Sequence, residues 1–305
     1  MPEVSIGLVT YNRSHIIKRA IESILNQSYK DFELIISDDN SKDETEKIVK
    51  GFMNQDSRIR YIKQTNVGMT QNFLEVLKQA TTEYFTWLCD DDYFHPDFLE
   101  KAIAVMKSDS SISICCGTTR FFRQTNLSDR FEYLRLDSNC PINRVVSYYK
   151  NVNSNIILYG IMRTPEIRNL DYPDTFGADL LWSSQILVLG KCIILNDTFF
   201  YYSMEGISKD TKTLSSYYSC EKTHNINPYI GLRNNASKMI IKRQSAFLRL
   251  SLLSSFVLAI RVWIILRERF CMSKYEAHFR RKLAIRTKIK WIINALSQKN
   301  NSNFS

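Results

Sequence analysis

The first third of the chain alternates short apolar runs with segments whose apolar residues recur at helical spacing. The runs are VSIGLVT (4–10), FELIIS (32–37), IRYIK (59–63), YFTWL (84–88) and ISICCG (112–117). Such short, apolar, largely β-branched runs are typical of buried strands. From Ile16 to Leu25 the apolar residues form one stripe, which predicts a helix entered at Ser14.

Helix signals also separate the later runs. Ser41 followed three residues later by Glu44 predicts a capping box for the second helix. Further helices are expected from about Thr70 to Ala80 and from Pro96 onward. Strands that alternate with crossover helices predict an α/β fold, with a mixed, mainly parallel, Rossmann-like sheet and helices on both faces.

Acidic side chains follow two of these strands. Asp38 and Asp39 follow the second strand, the triplet Asp90, Asp91 and Asp92 follows the fourth, and the segment TYNR (10–13) follows the first. Ligands of such sheets bind at the carboxyl ends of the strands, so we expect these groups at one edge.

Two interpretations of the acidic groups remain open from the residues alone. The triplet suits a hard cation such as Mg²⁺ or Mn²⁺, which prefers oxygen ligands, but a solvated loop or a helix cap also favours aspartate. The pair Asp38–Asp39 fits either a turn or contacts to the base and ribose of a nucleotide.

The second half of the chain has a weaker pattern. Residues 121–149 mix polar and aromatic positions and predict irregular or antiparallel additions. A helix is expected over 176–190 and a strand over 192–196, and long basic and apolar helices follow Pro228. Three aromatic residues fit either sugar stacking or core packing, namely Trp182, Tyr201 and Tyr202.

The net charge of +10 is unevenly distributed. Residues 231–305 carry 16 Lys and Arg against two acidic residues, whereas the rest carries 25 basic and 29 acidic residues. Seven scattered cysteines predict reduced thiols, and the first residues show no export signal, so a cytoplasmic protein is expected.

The basic end includes a twenty-residue apolar stretch, FLRLSLLSSFVLAIRVWIIL (247–266), interrupted by Arg249 and Arg261. A charge in the centre of a spanning helix is costly, whereas an interfacial helix accommodates it. We therefore expect residues 247–295 to contact the inner-membrane surface. Packing against a partner and nucleic-acid binding are the alternatives, and the acidic body disfavours nucleic acid.

Four segments resemble the sequence blocks of glycosyltransferase family 2, which has the GT-A fold. They are VSIGLVTYNR, SILNQSYKDFELIISDDNSKDET, NVGMTQNF and WLCDDDYFHPDFLE, in the order and at the separations of that family. The resemblance is strong over residues 3–105 and looser over 160–208.

The resemblance implies a role for each matching position. It implies a catalytic base at Asp179, where the family typically carries Glu-Asp and this chain has Ala178-Asp179. It implies metal ligation by Asp91 and Asp92, although the family often has an aspartate at Cys89. The residues implied to bind the nucleotide are Thr10, Tyr11, Asn12, Arg13, Asp38, Asp39, Asn66, Gly68, Asn72 and Asp90. Ser208 is a weaker candidate for a phosphate contact.

The resemblance also implies an activity, a cofactor and partners. It implies an inverting glycosyltransferase that uses Mn²⁺ or Mg²⁺ to move a sugar from a nucleoside-diphosphate sugar to a glycan or polyprenyl-linked acceptor. The product would belong to a bacterial surface glycan (O-antigen, capsule or lipooligosaccharide), made by a cytoplasmic enzyme peripheral to the inner face of the cell membrane.

The sequence also predicts how the chain is divided. We expect a GT-A domain over 1–228, with a nucleotide-sugar half (1–110) and an acceptor half (111–228). A basic amphipathic helical extension is expected over 229–305.

Other classes fit the sequence less well. A dinucleotide oxidoreductase would carry a glycine-rich turn after the first strand, which TYNRSH lacks. A signalling receiver domain is much shorter than 305 residues. A related nucleotidyltransferase and a sugar-nucleotide-binding protein without transfer activity remain the alternatives.

Overall fold

The computed structural model describes residues 2–124, 126–132, 134–205 and 228–271. Within them, nine strands form one mixed sheet. The strands are β1 Val4–Thr10, β2 Phe32–Asp38, β3 Ile59–Lys63, β4 Tyr84–Cys89, β5 Tyr93–Phe94, β6 Ile112–Arg123, β7 Asn126–Glu132, β8 Ile161–Arg163 and β9 Lys191–Ser203.

Helices lie between and after these strands. They are α1 Ile17–Leu25, α2 Thr45–Met53, α3 Met69–Gln79, α4 Phe98–Ser108, α5 Pro141–Asn151, α6 Thr164–Ile167, α7 Ala178–Leu189, α8 Pro228–Ile241 and α9 Leu252–Leu266. Shorter 3₁₀ helices span Ile156–Tyr159 and Ser245–Arg249, and a π-helical turn spans Arg267–Cys271.

β1 is the most completely covered strand of the predicted nucleotide-sugar half. All seven of its residues are buried, which requires packing on both faces of the sheet. Helix α3 covers one face so closely that a Cβ added at Gly7 would lie 3.0 Å from the Val76 side chain. The unbroken apolar run VSIGLVT is therefore a strand that is enclosed on both faces of the sheet.

The sheet order is β3-β2-β1-β4-β8-β6-β9-β5, and β7 pairs with β6. The neighbours in β3-β2-β1-β4 are parallel, as are β6 and β9, and these are the long pairings. The short strand β8 pairs antiparallel with both β4 and β6. The expected mixed, mainly parallel α/β sheet is confirmed.

Register fixes the shared edge. Thr10 pairs with Asp38 across β1 and β2, and Val9 pairs with Cys89 across β1 and β4. The segments that follow these three strands therefore emerge side by side, as the sequence predicts.

Two predicted helix starts are wrong. Helix α2 begins at Thr45, and Ser41 forms no capping box because its hydroxyl donates to the buried carboxylate of Asp38. Helix α1 begins at Ile17, and the amide of Ser14 donates to Asp43 instead of lying at the helix cap. In both cases the polar residue forms hydrogen bonds that join the loops after β1 and β2.

The predicted acceptor half contains a helix that the sequence analysis did not predict. Residues 121–149 include the expected antiparallel addition, since β7 pairs antiparallel with β6, but they also include most of α5. Val145, Tyr148 and Tyr149 are buried on α5. Because two of these buried residues are tyrosines, the sequence does not show a clear apolar stripe for this helix.

Helices α8 and α9 pack on the body of the fold and share its core. Helix α9 contacts α8 and α5, and α8 also contacts α7. Leu232 of α8 lies against Gly177, which adopts a φ of +74° directly before α7. The predicted division at residues 228/229 stays a prediction. Among the described residues no helix has the length and apolar character needed to cross a membrane.

Two glycines provide a matched test of this packing. At Gly190 an added Cβ would lie 2.6 Å from the carbonyl oxygen of Ser111, so we expect Gly190→Ala to lower the free energy of unfolding by about 1–3 kcal/mol. At Gly51, inside α2, a Cβ meets nothing within 4 Å, so we expect Gly51→Ala to raise it by about 0.5–1 kcal/mol. Chemical denaturation of both variants checks the prediction, and equal effects would contradict it.

Candidate active site

The loops at the carboxyl edge adopt left-handed backbone conformations at asparagines. Asn12, Asn40 and Asn66 follow β1, β2 and β3, with φ values of 53°, 68° and 67°. Gly68 has a φ of 87°. Asparagine and glycine tolerate this region better than other residues, so they let each strand turn sharply into its loop.

Asp38 holds two of these loops from within. Its carboxylate is fully buried and accepts hydrogen bonds from the Ser41 amide (2.8 Å), the Ser41 hydroxyl (2.6 Å) and the Tyr61 hydroxyl (2.7 Å). Ser41 also accepts a bond from the Asn12 amide, and the Asn12 carboxamide accepts one from the Lys42 amide. Asp38 and Asn12 therefore fasten the loop after β1 to the loop after β2.

Asp39 connects the loop after β2 to the segment before α3. Its carboxylate accepts hydrogen bonds from the backbone amides of Val67 (2.6 Å) and Gly68 (2.9 Å). It thereby ties the loop after β2 to the start of α3. Asn72, on α3, donates to the carbonyl oxygen of Ser37 at 3.1 Å, which reinforces the same junction.

The acidic triplet forms a tight turn at the end of β4 that β9 and α1 fix. Asp92 is buried and accepts a hydrogen bond from the Ser203 amide at 2.8 Å. Arg19 donates to the backbone carbonyl of Asp91 at 2.9 Å, and its guanidinium lies 4.5 Å from the centre of the Phe122 ring. Arg13 lies 3.7 Å from the Asp90 carboxylate.

Burial makes this turn electrostatically costly. Burial, followed by the charge of Asp91, raises the pKa of Asp90 to about 7. The same two causes raise the pKa of Asp92 well above its ordinary range. Carboxylates in this state are stabilised by any positive charge that enters the site.

A cation fits the donor atoms present. One ligand atom each from Cys89, Asp91 and Asp92 lies within 4.8 Å of the others. Carboxylate oxygens suit Mg²⁺ and Mn²⁺, whereas a thiol suits softer ions. Burial raises the pKa of the Cys89 thiol, so a cation bound there would meet two carboxylates and a protonated thiol.

Asp179 lies at the start of α7. Burial raises the pKa of its carboxyl, and the hydrogen bond from the Asn155 carboxamide (3.1 Å) opposes this rise. Asn155 is held in turn, since it donates to the Ser183 hydroxyl at 3.0 Å and accepts from Tyr148 at 2.8 Å. A partly buried carboxyl with a raised pKa and a fixed donor is suited to accepting a proton.

One cavity of about 350 Å³ brings these groups together. Its volume is in the range of small-molecule sites. The site residues predicted from the sequence that line it are Thr10, Tyr11, Arg13, Asp39, Asn66, Gly68, Asn72, Asp90, Asp91, Asp92 and Asp179. The acidic turn and Asp179 come from distant parts of the chain, so the fold joins the two predicted halves.

The remaining candidates lie elsewhere. Asn12 and Asp38 support the loops and do not line this cavity. Trp182 is fully buried, with its ring 4.8 Å from that of Trp87, and therefore belongs to the core. Tyr202 lines the cavity, whereas Tyr201 stacks on Tyr93 at 4.4 Å. Ser208 lies outside the described residues.

Sequence reasoning missed part of the lining. Asn155, Tyr159 and Tyr172 face the cavity from the predicted acceptor half. Nothing in the local sequence marks them, because they lie in or beside short segments without a regular period. Cys89 also lines the cavity, and its place directly before the triplet was the available signal.

The first half of the chain matches the model of a known protein family. A family model described as glycosyl transferase family 2 matches residues 5–159, which is about half of the chain. This stretch contains the loops after β1, β2 and β3 and the acidic turn after β4.

Two curated relatives are similar over the same part. A GalNAc(5)-diNAcBac-PP-undecaprenol beta-1,3-glucosyltransferase from Campylobacter jejuni is 34% identical, over 47% of this chain and 47% of its own length. Chondroitin synthase from Escherichia coli is 33% identical, over 39% of this chain and 18% of its own length. The chain spans less than half the length of these relatives.

A solved structure extends the similarity in fold. S. aureus TarS (residues 1–349), in a complex with UDP-GlcNAc, superposes with a TM-score of 0.68 at 19% identity. The match covers 88% of this chain and 74% of that one. At this identity the similarity concerns the fold.

The raised pKa of Asp90 predicts a pH-dependent change in stability. At a pH below its ordinary pKa, Asp90 is protonated in both the folded and the unfolded state. In that range no charge is buried, so ionisation of Asp90 does not lower the free energy of unfolding. The cost appears as pH rises above about 4 and is complete above about 7. In metal-free protein we expect Asp90→Asn to raise the free energy of unfolding by about 1–4 kcal/mol at pH 8 and to have little effect near pH 4.

Denaturation at both pH values measures this difference. Asp137→Asn, at an exposed aspartate, is the control and should show no such dependence on pH. A loss of stability in Asp90→Asn at pH 8 would mean that the contact with Arg13 outweighs the cost of burial.

Proposed function

The chain belongs to glycosyl transferase family 2, and we propose that it moves a sugar from a nucleoside-diphosphate sugar to a lipid-linked acceptor. The observation that carries this proposal is the single cavity shared by Asp39, the acidic turn Asp90–Asp92 and Asp179. A donor nucleotide, its diphosphate and an acceptor hydroxyl each require one of these three groups.

The nucleotide would bind along the loops after β1, β2 and β3. Asp39 is the acceptor for donors of the base or ribose, and its two bonds to the Val67 and Gly68 amides keep it oriented. The carboxamide oxygen of Asn72 is buried and accepts no hydrogen bond within the described part of the chain. An N–H or O–H group of the donor would satisfy it.

Asp91 and Asp92 are the proposed ligands of Mn²⁺ or Mg²⁺. Two carboxylates leave coordination positions for phosphate oxygens, which is how these ions commonly bind nucleotides. A cation bound there supplies positive charge for the departing diphosphate. Arg19 keeps the turn in position through its hydrogen bond to the Asp91 carbonyl. Asp90 is proposed to contact the nucleotide.

Asp179 is the proposed catalytic base. The acceptor hydroxyl must lose a proton as its oxygen attacks the anomeric carbon, and the Asp179 carboxylate would take that proton. Direct attack from the face opposite the diphosphate inverts the anomeric centre. Asn155 holds the carboxylate in place and lowers its pKa, so more of it is ionised at neutral pH.

The acceptor is proposed to be carried by a polyprenyl lipid, with the product entering a bacterial surface glycan such as O-antigen, capsule or lipooligosaccharide. The name of the Campylobacter relative, which includes an undecaprenol-linked sugar, supports this class. We place the enzyme at the inner face of the cell membrane. Of the proposed membrane contact over 247–295, residues 272–295 lie outside the described residues.

Nucleotide binding is the first test. We expect one of UDP, GDP, CDP and dTDP to bind by calorimetry, and only in the presence of Mn²⁺ or Mg²⁺. Asp91→Ala should weaken that binding at least about tenfold, because it removes a ligand of the ion. The exposed Asp171→Asn is the control. If no nucleotide binds with any metal, the proposal fails.

Turnover tests the role of Asp179. Asp179→Asn should keep nucleotide binding and lose about 10²–10⁴-fold in kcat, because only the proton transfer is removed. Asn155→Ala should move the acid limb of kcat/KM to higher pH, since it removes the bond that lowers the pKa of Asp179. An unchanged kcat in Asp179→Asn would exclude it as the base. Nucleotide binding without turnover in the wild type would favour a binding protein.

A further inference from the structure

The outer face of α9 is exposed and apolar. Eleven large apolar side chains are exposed among the described residues, and eight of them lie between Ile230 and Ile260. The exposed residues of α9 recur at helical spacing and form one face, namely Leu252, Leu253, Phe256, Val257 and Ile260. Leu252 and Leu253 are 73% and 74% exposed.

The fold does not require this apolar face. The opposite face of α9 is buried through Leu258, Val262 and Leu266, which join the main core. Helix α9 therefore has an inner apolar face that packs on α5 and α8 and an outer apolar face in contact with solvent. An exposed apolar patch of this kind marks an interaction surface.

Positive charge is concentrated in the segment that carries the outer face. Residues 228–267 contain seven basic residues and no acidic one. Lys238, Lys242, Arg249 and Arg261 are exposed. Lys238 and Lys242 also line a groove between α8 and α9, together with Asn234, Ser237, Ile241 and Trp263.

Trp263 in this groove is flanked by two cations. The guanidinium of Arg233 lies 4.7 Å from the centre of its ring, and that of Arg267 lies 5.3 Å away. An amphipathic tryptophan beside basic side chains suits the boundary between headgroups and acyl chains.

We propose that the outer face of α9 and the basic rim formed by Lys238, Lys242, Arg249 and Arg261 dock on an anionic lipid bilayer. The apolar residues enter the boundary of the acyl chains, and the rim contacts headgroup phosphates. This inference rests on the proposed function, which requires access to a lipid-linked acceptor.

Charge favours a bilayer over a second copy of the chain. In a symmetric dimer through this face, each copy would present the same basic rim to its partner, and like charges would face one another. Anionic headgroups provide the opposite charge, and acyl chains accept the apolar residues without specific partners.

Docking on this face would also orient the catalytic half. Leu232 of α8 packs against Gly177, two residues before Asp179. The Asn235 carboxamide donates to the Thr175 hydroxyl at 3.1 Å. The docking helices thus contact the segment that leads into the proposed base.

Vesicle sedimentation of the full chain tests the proposal. We expect binding to vesicles of phosphatidylethanolamine with phosphatidylglycerol and little binding to phosphatidylcholine alone. The triple variant Leu252→Gln, Leu253→Gln, Phe256→Gln should bind about tenfold or more weakly, because its apolar contact is lost. Lys238→Gln with Lys242→Gln should weaken binding about tenfold, because two charges near the headgroups are lost.

Matched controls separate this face from general surface effects. Leu127→Gln removes an exposed leucine on β7, and Lys47→Gln with Lys78→Gln removes two exposed lysines on α2 and α3. All variants change exposed side chains, so thermal melts should match that of the wild type. The controls should bind vesicles as the wild type does.

Three outcomes would overturn the inference. They are no binding to anionic vesicles, wild-type binding by the triple variant, and self-association without vesicles that the triple variant abolishes. The last outcome would assign the face to a second copy. Nucleotide calorimetry in solution on the same proteins tells the two proposals apart, because intact nucleotide binding without vesicle binding leaves the glycosyltransferase in place.

Discussion

The burial of carboxylates at one edge of the sheet governs the construction of this site. β1, β2 and β4 end side by side, and their register brings Asp38, Asp39 and the triplet Asp90–Asp92 to the same edge. Each buried carboxylate costs free energy unless donors or positive charge compensate it. The loops around the cavity supply enough donors for some of these carboxylates and too few for others.

The inequality separates structural from chemical carboxylates. Asp38 is satisfied from within by Ser41 and Tyr61, so it stabilises the loops and needs no ligand. Asp90 and Asp92 retain raised pKa values despite nearby Arg13 and Arg19. Asp179 is likewise compensated in part, by Asn155. The proposed mechanism places a cation beside Asp92 and a proton transfer at Asp179, two carboxylates that the surrounding groups compensate only in part.

The C-terminal helices extend this arrangement. Their inner apolar residues complete the core beside α5 and α7, and α8 packs against the turn that precedes Asp179. Their outer residues combine exposed leucines with lysines and arginines. One segment thus packs against the part of the fold that carries Asp179 on its inner side and exposes apolar and basic side chains on its outer side.

The sequence by itself determined the parallel half of the fold and most of the residues that line the cavity. Strands enclosed on both faces read as unbroken apolar runs, and strand-end residues of a parallel sheet share an edge, so Thr10, Asp39 and the triplet could be assigned from local pattern. The resemblance to a family added Asn66, Gly68, Asn72 and Asp179.

Only the tertiary structure decided how the individual side chains are used. Ser41 looked like a helix cap but binds Asp38. Trp182 fitted either sugar stacking or core packing, and it is buried against Trp87. Asn155 joined the site although no local pattern marks it. The outer face of α9 could be identified only from the tertiary structure, in which the other apolar residues of this helix are buried in the core. These choices depend on contacts between segments far apart in the chain, which no local period encodes.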